Sequence, residues 1–88
     1  MALTRKDFAA IALQLHLQLR NARGELRAAI KAGDDCQASA LESQMDGIKL
    51  AIGAAAIGLR ATNPRFDVVR FTEACTSGKG LPNIPPAA

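Results

Sequence analysis

Apolar or small residues recur at Phe8, Ala12, Leu15, Leu19, Ala22, Leu26 and Ala29, in steps of 4, 3, 4, 3, 4 and 3. That is a heptad seam, and it predicts an amphipathic α-helix. A second run, Ala38, Leu41, Met45, Ile48, Ile52, Ala55 and Leu59, steps 3, 4, 3, 4, 3 and 4. Two matched seams joined by a tight Gly33-Asp34-Asp35 turn predict a long antiparallel helical hairpin, residues about 4–32 and 35–62. The fold class expected is all-α.

Local signals set the expected boundaries. Thr4 followed three residues later by Asp7 fits a capping pattern, with Leu3 and Phe8 as its hydrophobic staple. Lys31 in the last turn and Gly33 beyond it suit the end of the first helix. Gly24 weakens that helix by roughly 1 kcal/mol relative to Ala, which makes Asn21–Gly24 the place for a kink. Asp34 and Gln37 form the start of the second helix, and Asn63-Pro64 ends it, because proline drives the preceding residue out of the α region. Asp67 then caps a short third helix, about 67–77, with Val68, Phe71 and Cys75 facing inward and Phe66 and Phe71 as its staple. Gly78 and Gly80 stop it. The reading is one helical domain over 1–77 and a flexible tail over 78–88.

The second helix carries more apolar surface than one seam can bury. Leu50, Ala54, Ile57 and Ala61 form a second stripe. A two-helix hairpin cannot cover both stripes, so the third helix, a second copy of the chain or a partner must do so. The simplest outcome is a homodimer with a four-helix core. The expected dimer or partner surface is Leu50, Ala54, Ile57 and Ala61, together with Phe66 and Phe71.

Composition narrows the function. The chain has 88 residues, enough for one domain, with 49% apolar content but no Trp or Tyr and only three Phe. Eleven Lys and Arg against eight Asp and Glu give a net charge of +3, which permits an anionic partner without requiring one. Arg5, Lys6 and Asp7 precede no clean apolar run, so no signal peptide is expected. The longest uncharged stretch, Leu50 to Leu59, falls well short of the ~20 residues that span a bilayer. A cytoplasmic protein with reduced thiols and no membrane partner is the expectation. Cys36 and Cys75 stand apart and sit at different heights of the hairpin, so neither a disulfide nor a metal site is expected, and no cofactor is implied.

Two features could carry chemistry. Arg20, Arg23, Arg27 and Lys31 recur at 3, 4 and 4 residues on one face of the first helix, with His16 one turn earlier. Such a row could track phosphates, and Arg65 and Arg70 could extend the contact. The competing expectation is interhelical pairing, since the hairpin brings Arg20 level with Asp46, Arg23 with Glu42 or Ser43, and Lys31 with Asp35. His16 lacks a nearby acid or thiol, so it reads as a surface or boundary residue rather than a catalyst. No activated nucleophile, paired acids or phosphate loop appears, and no enzyme is expected.

Both ends of the chain resemble a family of small proteins encoded by tailed phages and prophages. The resemblance rests on Thr4-Arg5-Lys6-Asp7-Phe8-Ala9-Ala10-Ile11-Ala12 and on Asn63-Pro64-Arg65-Phe66-Asp67 continuing through Arg70, Phe71, Ala74 and Cys75. It covers about a quarter of the chain. It implies an accessory gene product that binds a bacterial host protein stoichiometrically, in the manner of anti-defence inhibitors such as the anti-CRISPR proteins. It implies no reaction. A nucleic-acid-binding accessory protein using the basic row is the alternative.

Overall fold

A computed structural model describes residues 5–81. The expected cap at Thr4 with its partner Leu3, and residues 82–88 of the tail, lie outside the described residues. Three helices follow in order: α1 (Arg5–Lys31), α2 (Asp35–Thr62) and α3 (Val68–Ser77). The fold is all-α, and the described residues contain no strand. The molecule is elongated, 46 × 25 × 20 Å, close to the ~42 Å that a helix of this length spans.

The helix ends are built as the local chemistry dictates. Asp34 N–H bonds to the Ala29 carbonyl (2.9 Å) and Gly33 N–H to that of Ile30 (3.1 Å). That pair is a Schellman motif, and it requires a left-handed residue, which Gly33 supplies at φ 72°. Asp34 then caps α2, its carboxylate accepting the Gln37 N–H at 3.1 Å. Asn63, ahead of Pro64, is extended at φ −142° and ends α2. Its side chain accepts the Arg65 N–H at 3.1 Å and turns the chain. Asp67 caps α3 by accepting the Arg70 N–H at 3.0 Å. Gly24 does not break α1, which is continuous from Arg5 to Lys31.

The two seams meet as read. Every residue of both is buried or half-buried, with Leu19, Leu41 and Ile52 each at 2% exposure or less. The central cluster joins Ala12 of α1, Ile52 and Ala56 of α2, and Phe71, Ala74 and Cys75 of α3. Ala12 near the start of α1 meets Ile52 and Ala56 late in α2, which makes the pair antiparallel. The two alanines keep the backbones close enough for Phe71 to reach the junction.

α3 closes one end of the hairpin and, among the described residues, nothing covers the rest. A strip of α1 explains where it stops. Arg5, Ala9, Ala12, His16, Arg20, Arg23, Arg27 and Lys31 follow one another in steps of 4, 3, 4, 4, 3, 4 and 4. α3 packs over Ala12 and His16, in the small and neutral stretch between Arg5 and the basic run that starts at Arg20.

Three expectations need correction. His16 is not a surface residue: it is 7% exposed, and its Nδ1 donates to the Cys75 carbonyl oxygen at 3.2 Å. A carbonyl can only accept, so Nδ1 carries the hydrogen. Phe71 is not part of an outer surface: it is 5% exposed, because the staple read from its spacing is turned into the three-helix junction. The tail does not begin at residue 78. Gly78 is buried and left-handed at φ 78°, Leu81 N–H bonds to the Gly78 carbonyl (3.1 Å), and Leu81 packs on the core.

The Cys75 carbonyl lies in the last turn of α3, where carbonyls lack helical partners. His16 therefore satisfies a buried orphan acceptor and ties α3 to α1. His16→Ala is expected to lower stability by about 1–3 kcal/mol, the cost of leaving such a group unpaired. Thermal unfolding followed by circular dichroism checks this; an unchanged melting temperature would refute the structural role.

Candidate functional site

Three surfaces could engage a partner. The first is the outer face of α2. Leu50 is 76% exposed and Ile57 71%, and Ala54 and Ala61 are exposed beside them. α3 packs elsewhere, so this stripe has no cover within the described residues. It is also longer than the sequence reading drew it. Ala40, Ser43 and Gly47 continue it backwards at steps of 3, 4 and 3, and all are exposed. The five charged residues of α2, Asp35, Glu42, Asp46, Lys49 and Arg60, all fall on one flank. At 3.6 residues per turn they fall within an arc of about 60°, which leaves the whole outer stripe without charge along the helix.

The second surface is a groove of about 570 Å³ at the closed end, between the start of α1, the α2–α3 turn and α3. Its floor is apolar: Phe8, Ala9, Ala12, Phe66, Phe71 and Leu81. Phe66 is half-buried and stacks obliquely on both Phe8 (centroids 4.9 Å apart) and Phe71 (5.3 Å). Its rim carries Arg5, Arg65, Arg70 and Lys79, against Asp67 as the single carboxylate among the described residues that line it. Asp67 is occupied as the α3 cap. Arg5, Arg65 and Arg70 are exposed and hold no ion pair among the described residues, whereas Lys79 lies 3.8 Å from Glu73. Sequence reading singled out Arg65 and Arg70 but missed Arg5, Lys79 and Leu81. These three join the site only because α3 and the following turn fold back beside the start of α1.

The third surface is the basic row. Arg27 and Lys31 are exposed, Arg23 half-buried, and Arg20 half-buried and engaged. The expected pairing is corrected here: Arg23, Arg27 and Lys31 form no ion pair with Asp35, Glu42 or Asp46 within the described residues. The acids Asp35, Glu42 and Asp46 and the cations Arg27 and Lys31 flank the seam from exposed positions, with Arg23 half-buried. There an ion pair contributes only ~0.2–1 kcal/mol, too little to immobilise two long side chains across the gap.

The two cysteines differ sharply. Cys36 is exposed, Cys75 is fully buried, and both are free thiols. Desolvation by burial pushes the Cys75 thiol up from 9.0 to about 11. Cys36 is expected to react with a thiol reagent in the folded protein while Cys75 reacts only after unfolding, which mass-spectrometric labelling with and without urea checks. The unfolded thiol loses its proton at lower pH than the folded one. Stability from this group is thus complete below about pH 9 and declines as pH rises towards 11.

Among the described residues, no group of three His, Cys, Asp or Glu could hold a metal ion. No described helix is long and apolar enough to cross a membrane. No protein family matches the chain, and no curated protein or solved structure does.

Proposed function

We propose that the protein is a non-enzymatic binding module that acts as a homodimer and engages a bacterial host protein. The observation that carries this is the outer face of α2, a full-length uncharged stripe with Leu50 and Ile57 more than 70% exposed. Exposed apolar surface of this continuity marks an interaction site. A second copy of α2 suits it best in the antiparallel sense. A twofold axis near Leu50 then sets Gly47, Ser43 and Ala40 at about the heights of Ala54, Ile57 and Ala61 of the other copy, so Ile57 meets a small residue. The acidic first half of α2 (Asp35, Glu42, Asp46) meets the basic second half (Lys49, Arg60) of the other copy. A parallel pair would set like charges side by side. The resemblance of both chain ends to small tailed-phage proteins supports a host-directed, anti-defence role.

Light scattering on the eluting protein at tens of micromolar tests the dimer. A mass of twice the 9.2 kDa chain is expected, and a folded monomer ends the proposal.

One observation favours a second reading, a nucleic-acid-binding accessory protein. Arg23, Arg27 and Lys31 are unpaired among the described residues, which leaves the row open to phosphates. This reading requires binding that weakens steeply with salt. Absence of any DNA or RNA shift at low salt would dismiss it.

A further inference from the structure

We infer that the groove at the closed end is a docking site for an acidic amphipathic helix of a partner protein. The inference rests on the protein-binding reading and assigns the partner's chemistry. Three features point the same way. The floor is apolar and partly aromatic, with Phe66 half-buried and Leu81 half-buried at its edge. Such a floor takes apolar side chains projecting at i, i+3, i+4 and i+7 from a helix laid along it.

The rim is cationic and unsatisfied. Arg5, Arg65 and Arg70 have no acidic partner among the described residues, and the one rim carboxylate, Asp67, is held by the Arg70 N–H. Guanidinium groups bind carboxylates through paired hydrogen bonds, so Asp or Glu flanking the apolar stripe of a partner helix would meet them directly. The start of α3 adds the positive end of a helix dipole to the same rim.

A polynucleotide fits less well. Its bases would need open aromatic faces to stack on, and Phe71 is 5% exposed while Phe66 packs against both other rings.

The site is tested by fluorescence polarisation on the full chain. The probe is a fluorescein-labelled helical peptide with Leu at i, i+3, i+4 and i+7 and Glu on both flanks. Saturable binding is expected, and Arg65→Glu with Arg70→Glu should weaken it at least roughly tenfold, the cost of losing two charged hydrogen bonds. Both side chains are exposed and lie off the α2 face, so the variant should keep its circular dichroism melt and its oligomeric mass. Loss of peptide binding and loss of the dimer are therefore read separately. Four results would overturn the assignment. The peptide could fail to bind, or bind the double variant equally well. An all-Glu peptide or an oligo-dT could bind as tightly. Binding could arise only after residues 82–88 are removed, which would give the groove to the chain's own end.

Discussion

Replacing Leu50 and Ile57 together by glutamate is expected to turn the proposed dimer into a folded monomer. Both side chains are more than 70% exposed in the single chain, so charging them removes no contact of the core. In the antiparallel pair each is buried twice, once from each copy. Burying a side chain of this size contributes about 1.5–3 kcal/mol, so four such losses weaken association by well over a thousandfold. Glutamates at position 50 would also face each other across the axis, and like charges so placed add a further penalty. Sedimentation velocity at several concentrations reads the change. A variant that sediments as the unaltered protein does would exclude α2 from the interface.

Two residues along the same helix the expectation reverses. Ile52 is 2% exposed and sits where all three helices meet. Ile52→Ala is expected to cost about 2–5 kcal/mol, from lost burial and from the cavity that remains. For a chain of this size each kcal/mol moves the midpoint by about 4–8 °C, so the melt should fall by roughly 10 °C or more. Leu50→Ala should leave the stability of the single chain within about 0.5 kcal/mol. Urea unfolding of the two variants, compared at a concentration where association is absent, separates them. Equal effects would mean that the inner and outer faces of α2 are misassigned.

Periodicity and capping made most of this fold legible in the sequence. Asp34 and Asp67 were readable as caps because the bond each makes is to a backbone N–H three residues away. Gly33 was readable because a left-handed residue is needed to end a helix in this way. Both seams were readable because 3.6-residue geometry puts their members on one face. What could not be read depends on where α3 lands. Nothing near His16 in the sequence announces a carbonyl 59 residues later. Phe71 scored as surface and core alike until α3 was placed. Arg5 and Lys79, at opposite ends of the chain, line one groove only in three dimensions. The ion pairs failed for another reason: matching heights along a hairpin bring charges level, but exposed flanks leave them apart.

The unequal thickness of the rod has a consequence for its motions. Three helices meet around Ile52 and Cys75, whereas near Gly33 only α1 and α2 are present among the described residues, with Leu26, Ala29, Ala38 and Leu41 buried or half-buried there. Local opening follows the number of apolar neighbours that must part. The turn end is therefore expected to fray as a cooperative unit of its own and to exchange its amide hydrogens with solvent well before those beneath α3. The rod is thus expected to be stiffest where α3 packs, and the groove between α1 and α3 sits at that stiff end.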